Sequence, residues 1–175
     1  ADLIANFARE GAFRYVDPKQ SSDEDALVWA VSALTRPGEI LSYRIGRYRD
    51  DRDHFTHKRS IAFTSLVLEE DRTLFHLDTL GIEESAIVAV ATDLDMPLPE
   101  ALRGDASMEH RLRFAALESG EAEYNIIVYV EIVAPSWFEP IVSRLSLNYL
   151  GWMDLTRPPN NMDDFDPWSR QILSY

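Results

Sequence analysis

The stretch Glu123–Trp152, EYNIIVYVEIVAPSWFEPIVSRLSLNYLGW, decides the fold. From Tyr124 to Val133 it is rich in β-branched and aromatic residues, which suit a pleated surface. Only Asn125 and Glu131 interrupt the apolar run, so both faces of this strand should be covered and it should lie inside a sheet. Pro135 cannot donate to a ladder and should end it. Ser136 and Glu139 then form an S-x-x-E capping box, with Pro140 in the first turn. Trp137, Ile141, Leu145 and Tyr149 recur at helical spacing, so a helix with one wide buried face is predicted up to Gly151.

Working outward, the spacing predicts a short helix after Asp2 and a second one from the cap at Ser22 to Leu34, with Leu27, Val31 and Leu34 inward. Arg36-Pro37-Gly38 stops it. Glu39–Arg49 reads as extended, a second strand runs from Phe55 or Ser60 to Leu68, and Thr73–Thr79 is its hairpin partner. Ala86–Thr92 (AIVAVAT) reads as a strand or as a buried helical segment, and its shortness and β-branched residues favour the strand. Met108–Ser119 reads as a helix capped by Ser107. The fold class that follows is α+β: a single two-layer domain, a mostly antiparallel sheet of four to five strands with helices packed on one face. The domain is expected to span 1–152. Residues 153–175, where prolines and aspartates mix with Phe165, Trp168, Ile172 and Tyr175, are expected to form an irregular arm on the domain or on a partner.

Composition narrows the function. A chain of 175 residues with 46% hydrophobic and 27% charged residues has the profile of one soluble globular domain. It contains no cysteine, which removes disulfides, thiolate metal sites and thiol nucleophiles. No apolar run is long enough to span a membrane, and the first residues lack the pattern of a signal peptide, so a cytoplasmic location is expected. The net charge of −13 repels nucleic acid and anionic membranes as partners. No glycine-rich phosphate loop and no G-x-S-x-G elbow occurs.

Three clusters carry candidate chemistry. Tyr43–Arg59 holds Arg44, Arg47, Arg49, Arg52, Lys58 and Arg59 together with Tyr48, His54 and His57. Such a cationic, aromatic patch suits a phosphate, a carboxylate or an acidic peptide. Asp50, Asp51 and Asp53 offset half of it, and a solvated hairpin with cross-strand ion pairs is the competing reading. His54 and His57 could share a metal on a helix, but in extended chain they point apart, so no metal and no cofactor are expected. His76 with Asp78 on one strand face is a candidate base with an orienting carboxylate, or a simple polar pair. Glu131, a carboxylate within an apolar strand, must find a partner or take a raised pKa; it is a candidate catalytic acid or the partner of an arginine.

Without a recognisable catalytic constellation, the sequence favours a non-catalytic acidic binding module, such as an inhibitor, immunity-type protein, adaptor or accessory subunit. It would act through protein–protein contacts on a basic partner or a second copy of the chain. The alternative is a small α+β enzyme with a pocket between sheet and helices, using a buried carboxylate and a histidine as acid and base.

Overall fold

The computed structural model describes residues 4, 6, 13–16, 25–46, 55–72, 80–96, 109–119, 124–140, 146–157 and 159–175. Seven strands and two helices order them: β1 (Ala26–Arg36), β2 (Glu39–Ile45), β3 (Arg59–Ser60), β4 (Phe63–Leu66), α1 (Ile82–Asp93), β5 (Glu109–Ser119), β6 (Tyr124–Val133), β7 (Leu147–Asp154) and α2 (Pro167–Ser174). All strands join one mixed sheet, in the order β3-β2-β1-β6-β5, with β4 also on β1 and β7 on β2. β1 and β6 run parallel from Ala26↔Tyr124 to Thr35↔Val133, and the other pairs are antiparallel.

The strand Tyr124–Val133 has the predicted bounds and lies between β1 and β5. Its partner β1 corrects the second predicted helix. ALVWAVSALTR has apolar residues at helical spacing, but it is apolar almost throughout, and a strand buried on both faces reads that way. Pro37-Gly38 turns it into β2, with Gly38 at φ +80, the left-handed position a type II turn asks of its glycine.

The two-layer expectation is likewise corrected. Ser32 of β1 donates its hydroxyl to the carbonyl of Ala86 on α1, at 3.1 Å. Its near neighbour Trp29, which points to the other face by strand alternation, meets Trp168 of α2 at 5.6 Å between rings. Among the described residues α1 therefore lies on one face of the seven-stranded sheet and α2 on the other. On the first face Ile82 and Ala86 pack with Ala30, Val128 and Val130. On the second, Trp168 lies with Val31, Ile127, Tyr129 and Phe55.

Three further elements differ from expectation. IEESAIVAVATD forms α1 rather than a strand: a helix apolar nearly all round is one buried nearly all round, and Ala86, Ile87, Ala89, Val90 and Ala91 are buried. EHRLRFAALES forms the edge strand β5, where pairing with β6 overrides helix propensity, and charged side chains with a bulge between Leu112 and Phe114 keep the edge closed to further strands. Ser136 and Trp137 make a turn, and the last part of the predicted helix is strand β7, while residues 141–145 between them lie outside the described residues. Trp137 and Tyr149, assigned to its buried face, are 69% and 88% exposed. Glu139 is drawn instead to Arg36, at 2.8 Å, and to the Trp152 indole N–H, at 3.2 Å. The predicted strand at Thr73–Thr79 lies outside the described residues.

Candidate functional site

The second sheet face carries the most chemistry. Asp166 caps α2 through backbone N–H groups of Trp168 and Ser169, both 2.9 Å from its Oδ1. Pro167 occupies the first turn, where no donor is needed. Ser169 also meets Ser60 at 3.2 Å and accepts the Ile61 N–H at 2.9 Å, and the Trp168 indole donates to Glu118 of β5 at 3.1 Å. These bonds fix α2 beside β5 and leave an open groove of about 490 Å³ between them, lined by Phe114, Ala116, Arg170, Gln171, Ser174 and Tyr175.

The groove is aromatic along one wall. The Phe114 ring meets Tyr129 at 5.2 Å and Tyr175 at 4.5 Å, the latter inclined at 31°. Burial, and then the charge of Glu131, push the Tyr129 hydroxyl well above its usual range, so it stays protonated. Glu131 lies on the same face, two residues along β6. Arg113, the extra residue of the β5 bulge, donates Nε to its Oε2 at 2.8 Å and Nη2 to the same oxygen, while Thr35 donates to Oε1 at 3.0 Å. The carboxylate in the apolar strand thus has an arginine partner, one of the two outcomes its position required.

At the start of β5, on the α1 face, His110 Nε2 lies 3.1 Å from Glu83 Oε2 of α1. Sequence reasoning missed this pair, because its members stand 27 positions apart with no spacing signal. Nearby, burial raises the Asp71 carboxyl above its usual value, although it accepts the Leu68 N–H at 2.8 Å. Gly81, which opens α1 at φ +78, approaches Asp71 so closely that a side-chain carbon would stand 3.0 Å from its backbone. Between Glu84 and Asp93 the helix carries only Ser, Ala, Ile, Val and Thr.

Of the residues singled out from sequence, His76, Asp78, Arg47, Tyr48, Arg49 and His54 lie outside the described residues. Arg44, His57 and Arg59 gather where the chain meets its C-terminal segment. Arg44 grips Asp164 with both terminal nitrogens, at 3.0 and 2.8 Å. That contact holds the Asp164 carboxyl below its usual value and raises the Arg44 guanidinium. His57, exposed at φ +63, accepts a hydrogen bond from Arg44 through its carbonyl, and the Arg59 guanidinium lies 5.2 Å over the Phe165 ring. Among the described residues no group of three His, Asp or Glu could hold a metal ion, and no helix is long and apolar enough to cross a membrane.

No family model and no curated protein matches the sequence. Solved structures do. The NUDIX domain of NrtR from Shewanella oneidensis, in complex with ADP ribose, covers 97% of this chain and 94% of its own at 10% identity and a TM-score of 0.57. A NUDIX hydrolase from Alicyclobacillus acidocaldarius covers 75% of this chain and 80% of its own at 12% identity and 0.54. RenU, a Nudix hydrolase from M. smegmatis, covers 85% and 83% at 13% identity and 0.53. The reading as a non-catalytic module acting through protein contacts is corrected by this likeness, since the folds the chain resembles are those of Nudix hydrolases and of a NUDIX domain. At identities this low the likeness is one of architecture: a mixed seven-stranded sheet between two helices, a Nudix-like fold.

Proposed function

We propose that this protein is a hydrolase of nucleoside diphosphate derivatives, with ADP ribose the first candidate substrate. The observation that carries the reading is the groove between β5 and α2. Phe114 and Tyr175 offer flat apolar faces to a base, and Arg170 offers a planar cation to phosphate, in a chain whose fold spans that of a domain solved with ADP ribose. Arg113 adds a second cation on the same face, oriented by Glu131. Hydrolysis would add water to one phosphorus of the diphosphate and release the other phosphate as leaving group. Nucleotide derivatives of this kind are cytoplasmic solutes, which agrees with the expected location.

The test is incubation of the full chain with ADP ribose and magnesium, with products separated by ion-exchange chromatography and binding followed by calorimetry. Two monophosphate products are expected, with affinity cut in Phe114→Ala. Binding without turnover would overturn the hydrolase assignment. No binding at millimolar ADP ribose would overturn the ligand class as well.

A further inference from the structure

We infer that Tyr175 is a movable cover of the groove: its ring fills the place of the ligand's ring in the free protein and closes over the ligand's outer face once bound. The inference rests on the reading of the groove as a nucleotide site. The Tyr175 ring stacks on Phe114 with 4.5 Å between centroids, yet the residue is 83% exposed, so little else holds it. A planar ring inserted between the two needs about 7 Å, two van der Waals spacings, which 4.5 Å does not provide. A ligand ring that uses the Phe114 face must therefore push Tyr175 outward.

The surroundings permit that movement and restrict where it happens. One long bond, from the Tyr175 N–H to the Ile172 carbonyl at 3.3 Å, ties Tyr175 to the last turn of α2, and a ring swing leaves it in place. The start of α2, in contrast, is pinned by Asp166 and by Trp168, which is 1% exposed. Arg170 and Gln171, one turn back, stay in place along the groove while the ring swings. Arg170 reaches Asp163 at 3.5 Å, a contact long enough to yield to a phosphate. The free protein thus shields Phe114 from water, and the bound one sandwiches the base between two aromatic rings.

The experiment uses the full chain labelled with 3-fluorotyrosine, with the Tyr175 signal assigned from Tyr175→Phe, and ADP ribose as probe in stopped-flow and calorimetry. In the free protein the Tyr175 fluorine should show a ring-current shift that disappears in Phe114→Ala. Tyr175→Ala should associate several-fold faster, because nothing need be displaced, and dissociate faster still, leaving Kd roughly tenfold weaker. Tyr175→Phe should bind like wild type. If ADP ribose binds, Phe114→Ala abolishes binding and Tyr175→Ala changes neither rate, the site stands and the cover is refuted. A Tyr175 signal without the ring-current shift also refutes the cover, whatever the ligand does. If neither wild type nor Tyr175→Ala binds ADP ribose, the nucleotide reading falls and the cover with it.

Discussion

Replacing Asp166 by alanine should detach the C-terminal helix from the sheet. The carboxylate is fully buried and accepts three bonds, from the N–H groups of Trp168 and Ser169 and from the Ser169 hydroxyl. Loss of a helix N-cap costs about 1 kcal/mol, and up to about 2. Hydrogen bonds to a charged acceptor contribute about 1.5–3 kcal/mol each, and donors left unsatisfied in a buried place add their desolvation cost. These terms overlap, so we expect a loss of about 3–5 kcal/mol against a total stability on the order of 5–15 kcal/mol. For a domain of this size that lowers Tm by roughly 10 °C. Urea denaturation followed by far-UV circular dichroism measures it, with Asp166→Asn, which keeps one acceptor oxygen, as the intermediate case. ADP ribose binding should fall in parallel, because α2 forms one wall of the groove. A loss below about 1 kcal/mol would refute this reasoning: the packing of Trp168, not the cap, would then hold the helix as the groove's wall.

Three other outcomes test separate parts of the structure. Val128→Pro removes a ladder donor from β6, where the residue is 1% exposed between Ala30 and Ala115, and should abolish soluble expression; wild-type yield and melting would contradict the position of β6. Asp71→Asn should stabilise the protein at pH 7, because a carboxyl whose folded pKa is raised carries a cost when charged; the gain should shrink as pH falls through the raised folded value and be lost by about pH 4, the unfolded value, in pH-dependent melting. Arg44→Ala should cost no more than about 1 kcal/mol at neutral pH, since both partners are more than a third exposed. The Asp164 carboxyl is depressed by Arg44, so the pair contributes above the carboxylate's unfolded pKa of about 4 and is lost as pH falls below it. Wild type and variant melting curves should therefore converge in acid, and a constant gap would point to the packing of the Arg44 stem instead.

What the sequence determined was whatever depended on local pattern. β6 was legible because a strand covered on both faces has almost no polar residue to conceal it, and Glu131 was marked because a lone carboxylate there needs a partner. Absence of cysteine and the charge balance were facts of composition. Tertiary structure decided the rest. β1 and α1 exchange their predicted types because both are apolar nearly throughout, and a short apolar run has no period by which strand and helix differ; the parallel pairing of β1 with β6 and the burial of α1 settled them. β5 has helix-forming residues, yet as a strand it joins the exposed edge of β6. The capping box expected at Ser136 is absent because Glu139 lies instead 2.8 Å from Arg36, a residue about a hundred positions away that only the fold brings near. The groove and the His110–Glu83 pair had no local signature at all, because their members come from elements far apart in the chain and meet only when the sheet is assembled.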